Sequence, residues 1–215
     1  MGCVRDLHSG PPIHTVSYGS WQASLFLSIR CRIDSRVATV RTPRGAWIEA
    51  ALRALAEGGP DAVRIEALAG SLGVTKGGFY WHFKDRPALL AEMLDAWEES
   101  MTEDVFARID RHATDARERL RHLFALAPSA NFAVDLAIRD WSRRDRAIAR
   151  RMRGIDTRRM AWMRSLFAEF CDDQEAEART MLAYSLLIGA YFIAPRPGGR
   201  RRSELVGHAL DHLLA

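Results

Sequence analysis

From residue 42 to the C-terminal end, apolar side chains recur at helical rather than strand spacing. Trp47, Ile48, Ala51, Leu52 and Leu55 stand three or four apart and predict a first helix, which Gly58-Gly59-Pro60 ends. Thr42 is placed as its N-cap, with Pro43 at the first helical position. Ile65, Leu68, Ala69 and Leu72 fall at i, i+3, i+4 and i+7, one buried stripe on a short helix that Gly73 stops. Thr75 then reads as the N-cap of a third helix, Lys76 to about Phe83, with Phe79 and Phe83 on its core side. Asp85 caps a fourth, whose stripe of Leu89, Leu90, Met93, Leu94, Trp97 and Met101 is long enough to act as a connecting strut. Further amphipathic segments are expected near 115–127, 131–141, 144–170, 174–194 and 203–214, with Asp172-Asp173 and Pro195 to Gly199 as breaks. Strand alternation and internal repeats are not apparent, so the pattern predicts an all-α chain.

Residues 1–40 lack a sustained period and mix Ser, Gly, Pro and His with a short apolar patch. They read as an extension to a body that begins at residue 41: a disordered tail, a start placed too early, or a basic arm that adds a DNA contact. Length and apolar content, 215 residues and 48% hydrophobic, suffice for a sizeable core. The longest nearly apolar stretch, Met181 to Ala194, falls short of a bilayer span and no secretory signal is read. Three dispersed cysteines, Cys3, Cys31 and Cys171, give no metal-ligand spacing and suit a reducing cytoplasm. Neither a metal nor a cofactor is expected.

Charge sharpens the picture once it is divided along the chain. Four Arg and two acids occupy residues 1–40, seven basic and five acidic residues occupy 41–90, and the remaining 125 carry 20 of each. The whole net charge of +4 therefore lies in the first 90 residues. Its two lysines, Lys76 and Lys84, flank the third predicted helix. An excess this small does not itself indicate nucleic acid, because steering needs a clustered field.

The two short helices around Gly73 supply the cluster. Small Ala69 lets them cross closely and Gly73 tolerates the turn, which is the geometry of a helix-turn-helix. Its second helix would read DNA, with Thr75, Lys76 and the free amides of the first turn meeting phosphates and base edges in the major groove. Gly77-Gly78 is the most telling detail, because a glycine inside a helix costs about 1 kcal/mol relative to alanine. Close approach to DNA and close helix packing are both open explanations. Tyr80 and Lys84, four apart, suit phosphate contacts that position without reading sequence. Trp81 and His82 face elsewhere; His82 is either a phosphate donor or a packed structural residue. Arg44 and Arg64 are the further basic residues placed at the DNA side.

The run from Arg64 to Arg86, with its Gly73-Val74 turn and its Gly77-x-x-Tyr80-x-His82-Phe83-Lys84 segment, resembles the helix-turn-helix of TetR/AcrR-type regulators over residues 41–91. Arg139-Asp140-Trp141, followed by Asp145, Asp156 and Arg159, extends the resemblance weakly into one branch of that family. The resemblance implies a three-helix DNA-binding domain over 41–101 and a helical effector-binding and dimerisation domain over 102–215. It also implies a homodimer on a palindromic double-stranded DNA operator, paired through the last two long helices. There Leu182, Leu186, Gly189 and Ile193 form a stripe too apolar to leave exposed on a monomer, or else an ordinary core face.

A family member of this design holds an unknown small effector, and Phe106, Phe132, Trp141, Trp162, Tyr184 and Tyr191 are the aromatic residues assigned to that cavity, each with plain core as the alternative. Ten arginines between 139 and 164 suit either an anionic effector or an ion-paired surface. An enzyme finds no support in a phosphate loop, nucleophile elbow or HExxH motif. His208 and His212, four apart, are assigned to the dimer interface rather than a metal. The remaining alternative is a helical protein-interaction module of this fold without an effector.

Overall fold

The computed structural model describes residues 42–126, 130–193 and 200–215, all within one compact unit that spans Ser35–Ala215. The expectations for residues 1–40 and for the break at Pro195 to Gly199 lie outside the described residues. Those described contain nine α-helices and two 3-10 segments and no strand, as the apolar spacing predicts. The helices are α1 (Arg44–Gly58), α2 (Ile65–Ser71), α3 (Arg86–Ser100), α4 (Glu103–His112), α5 (Ala116–Leu126), α6 (Ala130–Ser142), α7 (Arg146–Phe167), α8 (Asp173–Gly189) and α9 (Arg202–Leu214).

The boundaries follow local chemistry. Pro43, rather than Thr42, occupies the N-cap of α1 in extended conformation, so the predicted start moves by one residue. Asp85, Asp145 and Asp172 each accept hydrogen bonds from amides in the first turns of α3, α7 and α8, offsetting the unpaired donors at those ends. α8 stops at Gly189, five residues before the predicted end. The helix α4 was not expected, although Val105 and Ile109, one turn apart, mark a buried face on it.

Two apolar clusters form the interior. The first joins Trp47, Leu55, Leu68, Phe79, Phe83, Leu89, Met93 and Trp97 to Val134 and Ile138 of α6 and Ile148, Met152 and Ile155 of α7. The second gathers Leu120, Phe124, Phe132, Met163, Leu166, Phe167, Tyr184, Leu187, Leu210 and Leu214. The reader therefore shares its core with helices that lie beyond residue 101. Charged pairs reinforce the junction: Arg151 of α7 bonds Asp95 at 2.5 Å and Glu98 at 2.6 Å on α3, and Arg158 pairs with Glu98 and, at 3.1 Å, with Glu103.

Along α7 the two clusters are separated by polar residues. Ile148, Met152 and Ile155 belong to the first cluster, Met163, Leu166 and Phe167 to the second, and Asp156 and Arg159 stand between. These two join Asp135, Arg139 and Tyr184 in a polar seam between α6, α7 and α8.

Candidate DNA-reading surface

The turn between α2 and the reader is closed by two backbone bonds, Val74 N–H to Ala69 O at 3.0 Å and Gly73 N–H to Gly70 O at 3.1 Å. These are the paired bonds of a Schellman motif, which needs a left-handed residue where Gly73 stands at φ 67°. Arg86 fixes the other side, since its Nε donates to Val63 O at 2.6 Å and its Nη2 to Pro60 O, tying the α1–α2 connector to the start of α3.

The reader itself departs from expectation. Lys76–Trp81 is a 3-10 segment rather than an α-helix, with Gly78 N–H bonding Thr75 O at 3.0 Å. Thr75 takes the predicted N-cap position without a side-chain capping bond. Consecutive glycines raise the cost of the α form, and Phe79 fixes the segment from inside. Phe79 is fully buried, edge-on to Trp47 at 5.5 Å and stacked on Phe83 at 5.3 Å, so both phenylalanines are scaffold as expected.

Gly77 and Gly78 are not required by packing. A Cβ at Gly77 would lie 3.7 Å from Thr75 Oγ1 and one at Gly78 3.8 Å from Trp47 Cζ2, both ordinary contacts, and neither glycine has positive φ. The helix-packing explanation thus loses its steric basis. What remains is the space these glycines leave outside: with Thr42, Trp47, Val74, Thr75, Trp81 and His82 they line an open hollow of about 430 Å³.

Thr75, Lys76, Tyr80, Trp81 and Lys84 are all exposed, and His82 is half-buried beside Phe83. Tyr80 and Trp81 show 54% and 72% of their surface to solvent, unusual for large aromatic residues. Because the 3-10 segment ends at Trp81, Tyr80 and Lys84 do not share one face of a continuous helix. Arg64, the N-cap of α2, is exposed. Arg44 is drawn sideways: its Nε donates to Glu92 at 2.8 Å and its guanidinium lies 4.8 Å from the centre of the Phe83 ring. Lys76 likewise pairs with Glu66 at 2.5 Å, which raises the ammonium pKa and lowers that of the carboxyl. Sequence reasoning missed both acids, since no periodicity connects residues 10 and 48 positions apart.

Of the six aromatic residues assigned to an effector, Phe132 and Tyr184 belong to the second cluster, Trp162 and Tyr191 pack against it, and Phe106 joins it through Trp162. Phe106 stacks on Trp162 at 4.5 Å, and Phe132 stacks on Tyr191 at 3.9 Å. Trp141 packs against the first cluster, with the reader. Tyr184 belongs to the polar seam: Arg139 Nη2 donates to its oxygen at 2.9 Å and its hydroxyl donates to Asp156 at 2.6 Å. Burial pushes its pKa up to about 12, and does the same for Tyr191. Of the ten arginines between 139 and 164, six form ion pairs: Arg139, Arg144, Arg151, Arg158, Arg159 and Arg164.

Among the described residues, a helix-turn-helix with an exposed aromatic and basic surface is built into an all-α body. Residues 48–93 match the model of the family described as "Bacterial regulatory proteins, tetR family". The fold agrees. A transcriptional regulator from Rhodococcus sp. Rha1 superposes with TM-score 0.64 at 19% identity, covering 80% of this chain and 94% of its own. A putative transcriptional regulator from Saccharomonospora viridis, solved with choline, gives 0.58 at 23%, over 80% and 93%. FadR from Bacillus subtilis, solved with stearoyl-CoA, gives 0.57 at 17%, over 79% and 97%. A search of curated protein sequences finds no match. The helix-turn-helix and the fold are of the TetR/AcrR type.

Proposed function

We propose that this chain is a sequence-specific DNA-binding repressor that pairs as a homodimer on a palindromic operator and is released by a small molecule. The observation that carries the DNA reading is the glycine pair, which no close contact among the described residues requires and which leaves the backbone of this segment open on its outer side. Tyr80 and Lys84 supply phosphate contacts, while Thr75 and Lys76 at the segment's start face the base edges. Arg64, Trp81 and His82 flank them, and Arg44 joins once DNA competes with Glu92. A dimer sets its reader segments about 34 Å apart, one turn of DNA.

The dimer reading is supported by the apolar face at the end of α8. Leu182 and Ile193 of the predicted stripe are 58% and 57% exposed, and Met181 and Phe192 extend the patch. A protein rarely leaves such an area in water.

Choline and stearoyl-CoA in two proteins of this fold support the effector reading. A ligand releases DNA only through a difference in affinity between two states of the protein. Arg151 and Arg158 clasp α7 to α3, the strut that leaves the reader, so displacement of α7 would carry α3 with it.

Sequencing the genomic fragments retained by the purified protein tests the reading. One recurrent palindrome, bound with steep salt dependence, is expected. Salt-indifferent retention of random DNA would count against it.

A further inference from the structure

Of the ten arginines between residues 139 and 164, six form ion pairs. The side chains of the other four, Arg143, Arg146, Arg150 and Arg153, have no carboxylate partner among the described residues, and all four are exposed. Helical spacing sets Arg146, Arg150 and Arg153 on one side of α7, with Arg143 just before its start. Ile148, Met152 and Ile155 occupy the opposite side and pack into the cluster that carries the reader. No acidic residue occurs from Arg146 to Ile155, and the Asp145 carboxylate is engaged by the amides of Ala147 and Ile148. The reader is poorer in free charge. Of its four assigned basic side chains, Lys76 is held by Glu66 and Arg44 by Glu92, which leaves Arg64 and Lys84.

Chemistry narrows what such a face holds. A small anion on an open helix surface stays in water, whereas a rod of phosphates meets several guanidinium groups at once and sheds its counterions. A protein or membrane surface would need apolar anchors. Beside the arginines stand exposed Ala147, Gly154 and Thr157, and the large exposed apolar side chains among the described residues all lie on other elements. Interfaces with DNA are more polar and more positive. Arg146 to Arg153 covers about 10 Å of helix, about three phosphate steps of one strand. The duplex on the reader does not fold back to this side of α7, because DNA is stiff over about 150 base pairs.

We propose that Arg143, Arg146, Arg150 and Arg153 form a second DNA site, which grips a separate duplex by its phosphates and reads no sequence. The protein then joins two duplexes, one on the helix-turn-helix and one on α7. The proposal rests on the DNA reading above for the first duplex; the arginine face binds the second by its own charge.

The full-length chain is titrated with a labelled random-sequence duplex by anisotropy over a salt series. A capture assay runs beside it, in which duplex fixed to beads retains a second, labelled duplex through the protein. Arg146→Gln/Arg150→Gln/Arg153→Gln should flatten the slope of log K against log salt by about 2 to 3 and abolish capture. Its Tm should match wild type, because only exposed side chains change. Arg146→Lys/Arg150→Lys/Arg153→Lys keeps the charge and should restore slope and capture. Tyr80→Phe/Lys84→Gln in the reader should remove about one from the slope and leave the rest. Capture that survives in the glutamine variant, a slope which that variant leaves unchanged, or a wild type that captures no second duplex while binding through both surfaces would overturn the proposal. Poly-glutamate that binds as tightly as the duplex and is lost in the glutamine variant overturns it as well. Duplex binding that the reader variant abolishes outright upholds the reader and sinks the second site. Binding that the reader variant leaves whole and the glutamine variant loses upholds the arginine face and sinks the reader.

Discussion

Lys76, the first residue of the reader segment, is held 2.5 Å from Glu66 in the first turn of α2. The pair is exposed and solvent-screened, so a DNA phosphate can displace the carboxylate. Glu66→Gln is therefore expected to tighten operator binding by up to about fivefold and to steepen the salt slope by about one counterion. Anisotropy titrations over a salt series measure both, and unchanged affinity would mean that Lys76 does not touch DNA.

The glycine pair is the opposite case. Gly77→Ala and Gly78→Ala place a Cβ in ordinary contact with Thr75 and Trp47, so Tm should hold or rise, by up to about 1 kcal/mol of stability. Operator binding should fall in the same variants. A fall in stability without loss of binding would return the glycines to a packing role.

Because Val134, Ile138, Ile148, Met152 and Ile155 complete the first cluster, a fragment ending at Met101 should not melt cooperatively. Ile155→Ala in the full chain should cost about 2–5 kcal/mol, the usual range for emptying a closed apolar site. Circular dichroism melts check both, and a stable reader fragment would refute the shared core.

Leu182→Glu places a charge in the exposed α8 patch without touching either cluster. Sedimentation should show a monomer of near-normal Tm whose operator affinity has dropped about tenfold or more, since one reader then binds one half-site.

Tyr184 and Tyr191 hold their protons to about pH 12 because burial penalises the phenolate. Their folded pKa values lie above the unfolded value, so the stability they contribute is whole below pH 10 and is lost as pH rises toward 12. Absorbance titration should show a late tyrosinate that disappears in Tyr184→Phe and another that disappears in Tyr191→Phe.

What the sequence made legible was what depends on near neighbours. Gly73, Asp85 and the stripes of α1, α2 and α3 were readable because caps, turns and one-sided burial leave their marks within a few positions. The helix α4 was not, because no glycine or proline between Ser100 and Glu103 separates it from α3. The segment after Gly73 was read as helical but given the wrong helical form, since two glycines blur the choice between α and 3-10. Lys76–Glu66, Arg44–Glu92 and the Arg159 seam depend on tertiary approach, and no spacing encodes that. The effector aromatics illustrate the same limit: stacking joined Phe106 to Trp162 and Phe132 to Tyr191, whereas Trp141 went to the reader's core.

The seam of Asp135, Arg139, Asp156 and Arg159 has a consequence for how such a protein changes over time. Above it on α7 every buried side chain serves the reader; below it, every one belongs to the other cluster. Substitutions at Met163, Phe167 or Leu187 can therefore accumulate and alter what the lower half accommodates, while Ile148, Met152 and Ile155 keep the DNA half intact. One helix serves two separate apolar interiors, and the charged pairs form the border between them.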